Sequence, residues 1–136
     1  MLGTDDQPDS TRQWFGVFEM STLRVVKLPS TLTRIESRAF RDCGSLRNVN
    51  LPDKLKTIGS QCFYHSGLSQ VTLPAALEEV QEAAFCDSCI SSFECKSNTA
   101  SIGDYALGSI IMDKKNVKFP DGVKVSELAF SSTSII

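Results

Sequence analysis

The chain has 136 residues, 41% of them hydrophobic, and a formal net charge of −2. These values are typical of one globular domain and exclude an intrinsically disordered chain. Apolar runs are only a few residues long and no basic stripe is present, so we expect neither a membrane-spanning helix, which needs about 20 apolar residues, nor a nucleic-acid partner.

The N-terminal region divides into two predicted parts. Residues 1–11 are polar and lack the basic and apolar regions of a signal peptide, so we predict a flexible tail. Residues 12–22 hold Trp14 and the pair Val17 and Phe18, which indicates a half repeat whose tryptophan covers the end of a stack. The compartment stays open, because the chain is cytoplasmic if its termini are native and secreted if a leader is missing.

Three clean copies of one pattern follow the half repeat. Each copy begins with L-x-x-V-x-L-P, continues with two apolar residues three positions apart, and ends with a small residue followed by phenylalanine. The spacing is 23 residues from Pro29 to Pro52 and 22 residues from Pro52 to Pro74. A fixed period of this length is typical of a solenoid, in which stacked repeats share one core.

Weaker copies continue in the same phase toward the C-terminus. In the fourth copy Ile90, Phe93 and Cys95 replace the Leu, Val and Leu of the pattern. The predicted single domain spans residues 12–136, and after the half repeat its repeats are 23–45, 46–67, 68–89, 90–111 and 112–131, with the start of a truncated repeat at 132–136.

The spacing within one copy predicts a short strand followed by a turn. The V and the second L are two residues apart, which places both side chains on one face of a strand. The proline then ends the strand because it lacks an N–H. Stacking the copies about 4.8 Å apart lines up equivalent residues and buries a continuous apolar column.

This pattern resembles the BspA-like leucine-rich repeat, L-x-x-V-x-L-P-x-x-L-x-x-I-G-x-x-A-F-x-x-C. Residues 23–43 and 46–63 match it most fully, and the resemblance covers about residues 12–136. It implies a right-handed, strand-lined leucine-rich-repeat solenoid of about five repeats, mostly β with short helical or 3-10 turns. It also implies a cell-surface or secreted adhesion protein that binds host or matrix molecules and has no enzyme activity.

Cysteine and histidine form one candidate chemical site. Cys86 and Cys89 make a C-x-x-C, and Cys62 and His65 lie about one repeat earlier, so four possible zinc ligands fall on adjacent coils. Because His65 is the only histidine and no nucleophile motif or phosphate-binding loop accompanies it, the sequence predicts no catalytic residues, no cofactor and no enzyme.

The repeat frame favours a structural role for most of the cysteines. Cys43 is at the family's cysteine position, Cys62 replaces the small residue before phenylalanine, and Cys95 replaces a strand leucine. Cysteine is readily buried as a small hydrophobic residue. We therefore expect buried thiols and no metal, with a disulfide between Cys86 and Cys89, or between Cys89 and Cys95, as the alternative and a thiol or zinc site as a minor one.

The outward positions of the predicted strands are the candidate binding surface. They are basic at the N-terminal end, amide-rich in the middle and acidic at the far end, which suits recognition of a protein or a glycan. One row is expected to cross the strands at about one strand spacing per step. The predicted ligand-binding residues are Arg24, Lys27, Arg47, Asn48, Asn50, Gln70, Thr72 and Glu94.

Two alternatives to this function remain. The outward face can be a solvated sheet surface, on which polar residues belong in any soluble solenoid. The chain can also be a structural piece of a longer repeat array that self-associates through its C-terminal end, because Ile135 and Ile136 form an apolar terminus that invites association.

Overall fold

The computed structural model describes residues 22–135, and short strands dominate it. The predicted tail, the half repeat up to Ser21 with Trp14, and Ile136 lie outside the described residues. A 3-10 helix spans Lys114–Asn116. The strands are β1 (Val25–Lys27), β2 (Arg34–Ile35), β3 (Asn48–Asn50), β4 (Thr57–Ile58), β5 (Gln70–Leu73), β6 (Glu79–Val80), β7 (Ser92–Cys95), β8 (Ser101–Ile102), β9 (Ile111–Met112), β10 (Val117–Lys118), β11 (Lys124–Val125) and β12 (Ser134–Ile135).

The coils stack through two columns of parallel strands. Over the described residues the second column is a continuous five-stranded sheet with the order β11-β8-β6-β4-β2. Its register places Ile35 opposite Ile58 and Ile58 opposite Val80, so equivalent repeat positions meet. This pairing confirms the strand-lined solenoid predicted from the repeats. The first column, formed by β1, β3, β5, β7 and β10, carries the candidate surface and is described below.

A third side of each coil is the corner that holds the small residue and the phenylalanine. The N–H of Phe40 donates to the carbonyl of Cys62 at 2.9 Å, and the N–H of Phe63 donates to that of Ala84 at 2.7 Å. Non-glycine residues with φ between 55° and 62° flank the corners of successive coils. These residues are Arg38, Gln61, Ala83 and Tyr105 before the pair, and Asp42, His65, Asp87, Ser109 and Ser132 after it.

Stacked phenylalanine rings fill the interior at these corners. The ring centroids of Phe40 and Phe63, and of Phe63 and Phe85, are 5.4 Å apart, with interplanar angles of 5° and 4°. All three side chains are fully buried. The repeated small–Phe pair thus builds the apolar column that the sequence predicts, since one coil of this size cannot enclose its own core.

The C-terminal coils depart from this regularity. β9 and the 3-10 helix come before β10, which pairs with β7 by placing Val117 opposite Phe93. β12 then pairs with β9 and sets Ile135 opposite Met112, so a further coil begins at the end of the chain. Among the described residues, no helix has the length and apolar character required to cross a bilayer.

Candidate functional site

The strand face is the outward surface of β1, β3, β5 and β7 with the residues just before these strands. All eight residues predicted to bind a ligand are exposed on it. The alternate positions of these strands point inward, as the repeat pattern predicts. The side chains there that are at most 4% exposed are Val26, Leu28, Val71 and Leu73. The pattern therefore places the candidate residues correctly, while their role in binding stays a prediction.

The rows across the strand face contain a break that the repeat pattern does not predict. Lys27 lies opposite Asn50, and Thr72 lies opposite Glu94. β3 and β5, however, are not paired: in the region that the structure describes, β1 and β3 form a two-stranded sheet, and β5 belongs to a separate sheet with β7 and β10. The expectation of one row at a uniform strand spacing is therefore wrong between Asn50 and Thr72.

A slot of about 460 Å³ opens where these two strands separate. Its rims are mainly polar, and its floor includes Val49 and Leu51, which are partly exposed although the equivalent Val71 and Leu73 are buried. The slot is lined by Asn48, Val49, Asn50, Leu51, Asp53, Gln70, Thr72, Pro74, Ala75 and Lys96. Four of the eight predicted binding residues thus come together there, namely Asn48, Asn50, Gln70 and Thr72.

Arg47 holds the two coils together just before the slot. Its Nη1 donates to the carbonyl of Gly44 at 2.8 Å and to that of Gly67 at 3.4 Å. A Cβ on Gly67 would lie 2.4 Å from the oxygen of Gly44, so this contact requires a glycine. Arg47, which the sequence predicts as a ligand-binding residue, therefore already uses its guanidinium to fasten this end.

The far end of the slot is closed by the second column. The N–H groups of Glu78 and Glu79 donate to the carbonyl of Lys56 at 2.8 and 3.0 Å. β4 and β6 then pair directly, with Thr57 opposite Glu79. The opening between the second and third coils is consequently local, with hydrogen bonds between these coils on both sides of it.

A side-chain bridge distinguishes the two junctions, since it is present between the first two coils and absent between the second and third. Oδ1 of Asn50 accepts the N–H of Leu28 at 2.8 Å, and its Nδ2 donates to the carbonyl of Leu28 at 3.4 Å. This amide joins the first two coils where Pro52 offers no N–H. In the third coil the same position is Thr72, whose shorter side chain carries no amide. No side chain in the described part of the chain bridges the backbone of Leu51 in this way.

The backbone shows the same difference at the start of the strands. The N–H of Arg47 donates to the carbonyl of Arg24 at 2.8 Å, and that of Ser91 donates to Ser69 at 2.8 Å. Within residues 22–135, the N–H of Ser69 makes no corresponding hydrogen bond to the carbonyl of Arg47. The slot therefore begins directly after the Arg47 contact and leaves the facing edges of β3 and β5 without strand partners within the described part of the chain.

The structure does not bring the proposed zinc ligands together. Cys62 is fully buried, whereas the side chain of His65 is 62% exposed and its Nδ1 lies 3.0 Å from Oδ1 of Asp42. The described residues contain no group of three or more side chains able to hold a metal ion. The sequence did not predict Asp42 as the partner of His65, although the 23-residue separation matches one repeat.

The five cysteines lie in distinct environments. Cys43, Cys62 and Cys95 are buried as expected, Cys86 is half-buried and Cys89 is exposed, and the predicted disulfide alternatives are not formed. Burial raises the pKa of Cys62 well above its ordinary value. Burial also raises the pKa of Cys95, and that of Cys86, where the Asp87 carboxylate adds to the effect. A raised pKa disfavours the thiolate that nucleophilic chemistry needs.

Parallel strands, a phenylalanine column and an outward polar surface define a leucine-rich-repeat solenoid. A family model, the BspA type leucine rich repeat region, matches residues 15–136 in six copies. The chain therefore belongs to the BspA type leucine-rich-repeat family, which indicates a repeat-protein interaction module. The six copies compare with about five whole repeats, a half repeat and a truncated one in the sequence pattern. Neither the curated proteins nor the solved structures contain a match to the chain.

Proposed function

We propose that this chain is a non-enzymatic interaction module that binds a protein or a glycan through its strand face. The observation that carries the proposal is the slot between β3 and β5, which interrupts the first column of strands while the second column continues across the same coils. A concave site with polar rims and a partly apolar floor is the usual form of a binding site on a rigid scaffold.

The chemistry of the rims supports recognition by hydrogen bonds. Asn48 and Gln70 are exposed amides that can each donate and accept, and Thr72 adds a hydroxyl. Asp53 and Lys96 contribute one charge of each sign to the lining. The lining therefore favours a ligand with mixed donors and acceptors over one of high net charge.

The proposal assigns no chemical step to the protein. His65, the only histidine, is paired with a carboxylate on the surface, and Cys62 is enclosed in the core with a raised pKa. Neither side chain lies in the slot. A general base placed beside a nucleophile, which covalent catalysis requires, is not formed by these groups.

The test is a binding screen against a glycan array and a displayed peptide library, followed by variants of the strand face. Asn48→Ala with Gln70→Ala changes the slot rims, and Arg24→Glu with Lys27→Glu changes the basic end. We expect weaker binding to any selected ligand with an unchanged Tm, because all four side chains are exposed.

Matched controls are on the second column, where Lys56→Ala and Glu79→Ala alter exposed residues of a different side of the coil. These controls should bind normally. Normal binding by the strand-face variants together with loss of binding in the controls would move the site to the other side and overturn the proposal.

A further inference from the structure

We propose that the slot binds an extended peptide segment of a partner protein, which adds backbone hydrogen bonds to the free edge of β3 or β5. This inference rests on the proposed function and specifies its ligand. The segment would alternate apolar side chains, which cover the slot floor, with polar ones, which face the rims and solvent.

The strand edges that face the slot support the addition of a strand. Among the strands of residues 22–135, β3 pairs only with β1 and β5 pairs only with β7, so each strand presents one edge to the slot. N–H groups alternate between the two sides of a parallel strand. The carbonyl of Leu73 accepts from Lys96 on the β7 side, so the N–H groups of Gln70 and Thr72 are directed toward the slot.

The apolar floor of the slot favours a ligand with apolar side chains. Val49 and Leu51 occupy inward repeat positions but are only partly buried, in contrast to Val26 and Val71. Side chains at every second position of an added strand point to the same face. A peptide with apolar residues at that spacing would therefore cover the exposed parts of Val49 and Leu51.

The lining of the slot restricts the class and the length of the ligand. The lining contains no aromatic ring on which the face of a sugar could stack, which disfavours a glycan in the slot itself. Its β3 side runs from Asn48 to Asp53. The extended part of that side is Asn48–Asn50, the chain turns at Asp53, and β5 on the other side has four residues, so at about 3.3 Å per residue the edges match an extended segment of roughly three to four residues.

The probe is a synthetic peptide with the sequence of residues 23–30, whose V-x-L part alternates apolar and polar residues. It is added to the isotope-labelled full chain. We expect NMR shifts centred on Val49, Leu51, Gln70 and Thr72, and slower exchange of the last two amides. The control peptide has the same side chains but carries N-methyl groups on alternate backbone amides. It should bind at least about tenfold more weakly, because it has lost the donors that pair with a strand edge.

The variant Thr72→Asn tests the slot from the protein side. It places in the third coil the amide that Asn50 uses to bridge Leu28, so it should bridge Leu51 and close the slot. We expect it to lose at least about tenfold in peptide affinity. Thr72→Ala is the matched control, since it leaves the slot open and should retain binding. The methylated peptide tests the same inference on the unaltered chain if Thr72→Asn does not fold.

Equal binding of the methylated and unmethylated peptides, an absence of shifts with the unmethylated peptide, or shifts centred outside the slot would overturn strand addition. Occupation of the slot by a second copy of the chain would also overturn it. If strand-face variants still abolish binding to a glycan from the array, the proposed function stands without this inference. If no probe depends on the strand face, the proposed function itself fails.

Discussion

The side-chain amide of Asn50 bridges the backbone of Leu28 in the preceding coil, with Oδ1 accepting its N–H at 2.8 Å. Removing the bridge in Asn50→Ala leaves a part-buried N–H without its partner. We expect the free energy of unfolding to fall by about 1–3 kcal/mol, measured by chemical denaturation. Asn48→Ala, an exposed neighbour on the same strand, should stay within about 0.5 kcal/mol of the original. Equal effects of the two variants would contradict the role given to the bridge.

The middle ring of the phenylalanine column should be the most sensitive core position. Phe63 stacks on Phe40 and on Phe85 at 5.4 Å. Phe63→Ala removes both contacts and leaves a cavity, so we expect a loss of about 3–5 kcal/mol in denaturant-induced unfolding. Phe130→Ala, at a half-buried ring of the last coils, should cost clearly less. A smaller loss for Phe63 than for Phe130 would show that the column does not support the stack.

Two glycines give opposite expectations for the same substitution. A Cβ at Gly59 would lie 2.5 Å from the backbone nitrogen of Ser37, so Gly59→Ala must force adjacent coils apart. A Cβ at Gly44 meets nothing within 4 Å. We expect Gly59→Ala to lower Tm by several degrees, a loss of roughly 1 kcal/mol or more. Gly44→Ala should leave Tm unchanged or raise it slightly. A similar Tm for both variants would contradict the close contact between coils.

The buried thiol of Cys62 predicts a loss of stability at alkaline pH. Its pKa in the folded chain is raised above the ordinary value of 9.0, chiefly by burial. The stability contributed by the buried neutral thiol is fully present below pH 9.0. It is lost as the pH rises further, because the Cys62 thiol then ionises in the unfolded chain but not in the folded chain. The slope should reach about 1.4 kcal/mol per pH unit for this thiol.

The variant Cys62→Ala, which installs the residue found at Ala39 and Ala84, should remove this part of the slope in urea titrations between neutral and alkaline pH. Cys89→Ala, at an exposed thiol, is the control and should retain it. An unchanged slope in Cys62→Ala would contradict the assignment.

The sequence was sufficient to predict the coil architecture, because its information is repeated. The two-residue spacing of Val26 and Leu28 predicts their burial and the exposure of Lys27, and the structure confirms all three. The small–Phe pairs likewise predict the inward column. These features depend on a hydrophobic pattern that several copies report independently.

The slot could not be predicted from that pattern. The second and third copies share L-x-x-V-x-L-P, so the pattern predicts that β3 and β5 pair like their neighbours. The two junctions differ at single outward positions, since Asn50 reaches back to Leu28 and Thr72 has no equivalent reach. Hydrophobic periodicity carries no information about such a bridge. The left-handed corner positions were missed for a related reason, because residues such as Arg38 and Gln61 adopt positive φ without glycine to mark the turn.

Backbone amide exchange in the unliganded chain, followed residue by residue by NMR, tests the central claim most directly. If β3 and β5 are separated, the amides of Gln70 and Thr72, directed toward the slot, should exchange much faster than those of Val71 and Leu73, which are on the side paired with β7. Equal and strong protection of all four amides would mean that β3 and β5 pair in solution, and would contradict the slot and both proposals built on it.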